Sequence, residues 1–160
     1  MAFASITMSF NDILILLYQK KPFPCLLRLL DHTDIYIASD GILSILNILF
    51  GGANITPNNS IHPYYDAMNA CGGIEKIMRL FMKNISKYTK DMAAICIGHL
   101  FRAREIRDQQ IRVEVIGHLK TLVNNAAKWT KSNSKLILRS LSKNVINRVE
   151  IESGVFVIPE

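Results

Sequence analysis

The feature that most constrains the fold is an apolar pattern with helical spacing that recurs along the chain. In GGIEKIMRLF, Ile74, Ile77 and Phe81 are three and four residues apart, as on one face of an α-helix and unlike the alternation of a half-buried strand. PFPCLLRLL aligns with this block when Phe23 is placed over Ile74, and EVIGHLKTLV aligns with Ile116 over Ile74. Apolar helices repeated at intervals of roughly forty to fifty residues predict stacked units, each burying its apolar face against its neighbours.

A second set of apolar helices repeats in step with the first. SILNI at residues 44–48 aligns with CIGHL at 96–100 and more weakly with SLSKN at 140–144. Each unit is therefore predicted to contain a short first helix, an apolar second helix, a loop and an apolar third helix. The insertion FGGANITPNN at residues 50–59 and the polar run KSNS at 131–134 are predicted to be breaks between helices.

The tetrapeptide IGHL occurs twice, at residues 97–100 and 116–119. The first copy falls in a third helix and the second in a second helix, so the match is a coincidence. His99 and His118 have no Cys, Asp or Glu companions at ligand spacing, which favours buried or groove-lining imidazoles over a metal site. The sequence also lacks a phosphate-binding glycine loop, a nucleophile elbow and a zinc-protease motif. It therefore predicts a protein that is not an enzyme and uses no cofactor.

Composition restricts the class of partner. The chain has 160 residues and a formal net charge of +6, and its length predicts one domain, 1–160. Residues 71–148 carry sixteen basic and five acidic side chains, which indicates either an acidic partner, a protein segment or a nucleic acid, or a basic face exposed only to solvent. The apolar stretches are too short to span a membrane. The three cysteines form no ligand or disulfide pattern, so a cytoplasmic or nuclear location is predicted.

These residues resemble armadillo repeats, which grade into HEAT repeats. NACGGIEKIMRLF at residues 69–81 is similar to the glycine turn and second helix of that family, and Asn47 lies where its third helix carries an asparagine. The resemblance implies an all-α, right-handed α-solenoid of about three units, at 9–50, 63–103 and 104–146, with a partial fourth unit or cap at 147–160. The chain departs from the family at Val113, Glu114 and Val115, which replace the glycine between the first and second helices.

The resemblance also implies a concave groove, lined by third helices, that holds an extended peptide. An asparagine amide suits this role because it both donates to and accepts from a peptide backbone. Lys83 and Lys87 are expected outside the groove, whereas Arg139 and Lys143 are expected on one helix face, where they would favour an acidic ligand. The predicted partner-binding residues are Leu43, Asn47, Met92, Ile95, His99, Arg139 and Lys143.

Other interpretations remain open from the sequence. The basic second half would suit RNA, although no aromatic or arginine recurs once per unit to read bases. The chain would also suit a structural piece of a larger scaffold. Trp129 is either a cap over a loop or an exposed anchor for a partner. The apolar run VFVI at residues 155–158 is expected either to pack onto the last unit or to promote self-association, because an uncapped repeat exposes apolar surface.

Overall fold

The computed structural model describes residues 11–159, and in that range it contains helices and no β-strand. The predicted all-α class is therefore confirmed. Residues 9 and 10 of the predicted first unit and residue 160 of the last lie outside the described range. The helices are α1 (Asn11–Gln19), α2 (Phe23–Leu29), α3 (Ile35–Asn54), α4 (Tyr65–Ala70), α5 (Gly73–Lys83), α6 (Lys87–Leu100), α7 (Gln109–Leu122), α8 (Lys128–Leu141) and α9 (Val145–Glu152), followed by a 3₁₀ turn at Ser153–Val155.

Helix α3 corrects the prediction that residues 50–59 form a loop throughout. It continues to Asn54, so Gly51 and Gly52 are helical and buried. A Cβ atom on Gly51 would lie 2.6 Å from the Cβ of Leu14, and one on Gly52 would lie 2.6 Å from Cε2 of Tyr64. The glycines therefore permit α1 and the Tyr64 ring to pack directly on α3, and this burial outweighs the low helix propensity of glycine.

The polar run at residues 131–134 is also helical, contrary to the sequence prediction. It lies within α8, where Ser134 is buried and its hydroxyl donates to the carbonyl of Lys131 at 2.9 Å. Because the serine satisfies its own polarity against the helix backbone, it can occupy the buried face. The break between helices instead falls at residues 123–127.

A left-handed glycine follows each of two short helices, α4 and α9. Gly72 has a left-handed φ of 68° and separates α4 from α5, and Gly154, with φ 71°, follows α9 in the same way. Glycine adopts this conformation without the steric cost of a Cβ atom. No glycine occupies the corresponding position at residues 113–115, and α7 runs as one helix from Gln109 to Leu122. The third predicted unit therefore contains two helices, α7 and α8, whereas the second contains three, α4, α5 and α6.

The helices pack in an order that follows the chain. α3 packs against α6, and α6 packs against α8; α2, α5 and α7 pack against α3, α6 and α8 respectively. The buried apolar side chains form one continuous cluster from Phe23 to Ile151. By length and composition α3 could cross a membrane, but 56% of that stretch is buried among the other helices. The core helix of a folded protein has the same length and apolar composition as a membrane-spanning helix.

Arg102 connects the end of α6 to the segment that follows α3. Its side chain is 2% exposed and donates to the carbonyl of Ala53 at 3.4 Å and to the hydroxyl of Thr56. It also reaches the carbonyl of Ile61 at 3.5 Å. Burial lowers the pKa of the guanidinium group from its ordinary value. The segment between α3 and α4 is therefore fastened to the neighbouring helix rather than free in solution.

The C-terminal segment lies against the last helices. Phe156 and Ile158 are half-buried against the core, whereas Val155 is 94% exposed. The ammonium group of Lys120 lies 5.2 Å from the centre of the Phe156 ring, and Nη2 of Arg139 donates to the carbonyl of Pro159 at 2.9 Å. The alternation of buried and exposed side chains shows that the segment covers the end of the helical stack in an extended conformation.

Candidate peptide-binding groove

An open groove of about 640 Å³ lies between α3, α6 and the start of α8. Leucine, methionine, alanine and two aromatic side chains form most of its surface, and a few polar groups lie among them. We call this surface the groove; its lining residues are Leu43, Asn47, Lys87, Tyr88, Asp91, Met92, Asn125, Ala127, Trp129 and Thr130. A mostly apolar cleft with a small number of polar groups is the usual form of a binding site.

The first turn of α6 forms one wall of the groove. Ser86 caps this helix, since its hydroxyl accepts the backbone N–H of Thr89 at 3.0 Å. The cap fixes where α6 begins and so places Tyr88 and Met92, one turn apart, on the same side of the helix. Burial raises the pKa of Tyr88, and the Asp40 carboxylate acts in the same direction. Tyr88 therefore keeps its hydroxyl proton at neutral pH and can donate a hydrogen bond to a ligand.

Trp129 forms the opposite wall, and its ring is held from behind. It is 44% exposed and meets Phe50 edge to face, with ring centroids 5.6 Å apart. Phe50 in turn meets the imidazole of His99 at 4.7 Å. Such aromatic pairs fix ring orientation as well as burying apolar area. The exposed part of Trp129 is therefore a positioned apolar surface, which suits one of the two sequence interpretations, the exposed anchor.

Asp91 carries the negative charge that lines the groove, and both of its oxygens have partners. Oδ2 lies 2.6 Å from Nζ of Lys87, and Oδ1 lies 2.8 Å from Nε2 of His118. Asp91 is buried, whereas the Lys87 side chain is 73% exposed. The outer face of this cluster therefore presents the lysine to solvent, and the paired carboxylate is directed inward toward α7.

Three of the seven predicted partner-binding residues line the groove: Leu43 and Asn47 from α3, and Met92 from α6. Leu43 and Asn47 are half-buried, and Met92 is buried at the base. The sequence alignment assigns both of these helix segments to third helices, which the family resemblance places at the groove wall. They also carry the two chemical features expected of it, an apolar surface and an amide.

Ile95 and His99 lie elsewhere, although the repeat alignment places them beside Met92. Ile95 is fully buried in the core, and His99 is 5% exposed and packed against Phe50. Burial lowers the pKa of His99 to about 3, and the nearby His62 and Arg102 act in the same direction. Both side chains face the neighbouring helices because α6 is covered on nearly every side. They support the groove from beneath and do not line it.

Neither Arg139 nor Lys143 lines the groove, and only Arg139 lies within α8. α8 ends at Leu141, and Lys143 lies in the turn that follows. Arg139 is exposed and bonds to the carbonyl of Pro159. Lys87, expected outside the groove, instead lies on its rim. The helix boundary decides this outcome, since the four-residue spacing aligns side chains only while the helix continues.

Sequence reasoning missed the groove residues contributed by the end of the α7–α8 connection. Asn125 and Ala127 lie in that connection, and Thr130 lies in the first turn of α8. Their approach to α3 and α6 depends on the path of a loop, which no periodic pattern specifies. Trp129 was the one available signal, because a single exposed tryptophan in a charged segment is unusual.

Comparison with known proteins finds a similarity of fold alone. No protein-family model matches the chain, and no curated protein sequence matches it. The structure is similar to a crystal structure of an engineered protein, a target of the Northeast Structural Genomics Consortium, with a TM-score of 0.61 and 13% sequence identity. The match covers 94% of this chain and 57% of that one. The chain thus spans a little over half the length of that protein.

Proposed function

We propose that this chain is a right-handed α-solenoid of armadillo-like units whose groove binds an extended segment of a protein partner. The order of packing supports the solenoid, because α3, α6 and α8 contact one another in sequence and each is backed by the helix before it. Stacked units bury their apolar faces in this manner. The left-handed glycines after α4 and α9 support the same repeat, since they occupy aligned positions.

One observation carries the binding proposal: residues from α3, α6 and α8 meet at one apolar groove. Leu43 and Asn47 come from α3, Met92 from α6 and Trp129 from α8. A peptide in extended conformation presents side chains at regular intervals with free backbone amides between them. The apolar walls would receive a side chain, and the Asn47 amide would bond the backbone beside it.

The charges around the groove favour an acidic partner. Lys87, Lys128 and Lys131 are exposed beside it, and the Asp91 carboxylate is already bonded to Lys87 and His118. Ala127 provides no side-chain cap for α8, so the positive end of that helix dipole lies at the groove wall. We therefore assign the acidic preference to these groups and not to Arg139 and Lys143.

The proposal is tested by selecting short random peptides on the protein at neutral pH and measuring their affinities by fluorescence anisotropy. We expect selected sequences to combine a large apolar residue with acidic neighbours. Trp129→Ala should weaken their binding by roughly thirtyfold or more, as for a hot-spot aromatic. Tyr36→Ala is the matched control, because Tyr36 is an exposed aromatic on α3 that does not line the groove. The proposal would be contradicted if both variants lost the same amount of peptide affinity, or if neither substitution changed the affinity of the selected peptides.

Two pairs of charge reversals test which lysine and arginine residues produce the acidic preference. Lys128→Glu with Lys131→Glu should weaken the selected peptides much more than Arg139→Glu with Lys143→Glu, and the difference should shrink in high salt. The RNA alternative makes the opposite prediction for the aromatic variant. If single-stranded RNA binds more tightly than any selected peptide, with steep salt dependence and no effect of Trp129→Ala, nucleic acid is the better assignment.

A further inference from the structure

Three groups that can carry positive charge lie buried together behind the groove. His62 is 1% exposed, His99 is 5% exposed and Arg102 is 2% exposed. Among the described residues no carboxylate forms an ion pair with any of them. Nε2 of His99 and Nε of Arg102 are buried without a hydrogen-bond partner. One of the three, the guanidinium, keeps its charge, so the two imidazoles are held in an environment that opposes a second charge.

The surrounding structure accommodates the neutral form of both histidines. Nδ1 of His62 accepts the backbone N–H of Tyr64 at 3.1 Å, so Nε2 carries the proton and donates to the carbonyl of Leu49 at 3.0 Å. Burial lowers the pKa of His62 to about 4, although its bond to Leu49 acts in the opposite direction. His99 is also buried, and it has no such bond at Nε2. It is therefore the group that loses most from gaining a proton in place.

His99 is connected to the groove through two aromatic rings. Its imidazole meets Phe50 of α3 at 4.7 Å, and Phe50 meets Trp129 of α8 at 5.6 Å. The titratable groups that act on His99 are His62, from the segment before α4, and Arg102, from the turn after α6. α3 and α8 present aromatic rings at this point, and α5 and α7 contribute no charged group that shifts its pKa.

We propose that acid opens the groove: protonation of His99 drives its ring out of the interface with α3, and Phe50 and Trp129 then lose the support that orients them. A charged imidazole beside the Arg102 guanidinium gains solvation only when it leaves this site. The groove wall and the acid-sensitive group are thus two ends of one row of rings. Ligand release at low pH follows if the groove binds the segment proposed above, and only that consequence rests on the proposed function.

The opening is measured on the free protein, so its outcome is independent of any ligand. Hydrogen exchange of the backbone amides of residues 50–53, corrected for the intrinsic rates, gives the opening equilibrium of the end of α3 at pH 7 and pH 5. The pKa of His99 is that of an ordinary histidine in the open form and is strongly lowered in the closed form. The equilibrium constant for opening should therefore rise roughly 25-fold from pH 7 to pH 5. Acrylamide quenching of Trp129, the single tryptophan of the chain, should rise in the same range.

The controls identify the histidine and the extent of the opening. His99→Leu should abolish most of the rise, and His99→Gln should do so if the leucine variant does not fold. His118→Gln should retain it, although His118 bonds to Asp91 at the groove. Amides of residues 116–119 in α7 should stay better protected than those of residues 50–53 at both pH values, because they open only when the whole protein unfolds. A rise that survives both His99 variants or disappears in His118→Gln would overturn the inference, as would no rise in the parent protein. Equal opening free energies at residues 50–53 and 116–119 would also overturn it, because the opening would then be global unfolding.

Discussion

Gly98 of α6 lies directly against Ile137 of α8, so closely that a Cβ atom on the glycine would collide with Cγ2 of the isoleucine. Both residues are in the buried interface between the two helices. The absence of a side chain at Gly98 therefore sets how near α8 approaches α6. Because Met92 of α6 and Trp129 of α8 both line the groove, the helix spacing that this contact sets also bears on the shape of the groove.

The first prediction concerns this contact. Gly98→Ala should lower the free energy of unfolding by about 1–3 kcal/mol, since the methyl group forces the helices apart. Gly117→Ala is the matched control, because a Cβ on Gly117 meets nothing within 4 Å. It should be neutral or stabilising by up to about 1 kcal/mol through helix propensity. Urea denaturation measures both, and equal effects of the two substitutions would refute the packing account.

The two copies of IGHL show what sequence could and could not predict. Their different positions in the repeat were predictable, and the structure gives them different environments. Gly98 is buried against α8, whereas Gly117 adjoins open space. His99 is buried without a partner at Nε2, whereas His118 bonds to Asp91. Helical period identifies which face of a helix is apolar, but only the neighbouring helix decides which residue on that face is tightly covered.

The second prediction concerns Arg102. Arg102→Met keeps an apolar chain of similar reach and removes the bonds to Ala53, Thr56 and Ile61. The three acceptors then lose their donor, so the segment between α3 and α4 should open more often. Limited proteolysis should cleave residues 55–60 at least tenfold faster in the variant. Cleavage at an unchanged rate, or first cleavage within residues 51–54, would show that Arg102 does not fasten this segment.

The third prediction concerns the stability of the whole protein in acid. The pKa values of His62 and His99 fall to about 4 and about 3 on folding, so the unfolded chain binds more protons as the pH falls below about 6.5. Stability should therefore decrease from pH 7 to pH 5, with a limiting slope of about 1.4 kcal/mol per pH unit for each histidine. Urea denaturation at these pH values measures the slope. A double variant of His32→Gln and His118→Gln should retain it, and a flat profile in the parent would contradict the account.

The fourth prediction concerns self-association. Phe156 and Ile158 cover the end of the stack, so replacing both with serine should expose apolar surface and increase the average mass in light scattering. This result is opposite to the one expected if these residues were themselves the exposed contact. Val155→Ser with Val157→Ser is the control, since both valines are exposed, and it should not raise the mass. A decrease in mass with the control, and no increase with Phe156 and Ile158, would place the self-associating surface on the exposed face of the segment.

The groove residues on α3 and α6 were predictable, because their positions depend on helical period. Those near the start of α8 were not predictable, because their positions depend on a loop and on where the helix begins. Leu43, Asn47 and Met92 follow from the alignment of third helices. Lys143 was misplaced because α8 ends two residues earlier. Gly51 was misread as a breaker because its burial against Leu14 is a tertiary contact that local propensity does not reveal.

The central claim is that the groove holds an extended peptide, and photo-crosslinking tests it most directly. A selected peptide would carry a photoreactive group in place of its large apolar side chain, and mass spectrometry would locate the crosslinks. The account predicts crosslinks within residues 43–47, 88–92 and 125–130, all suppressed by excess unlabelled peptide. Crosslinks concentrated on the polar cleft at residues 103–108, or along the opposite surface of α5 at Arg79 and Lys83, would contradict it.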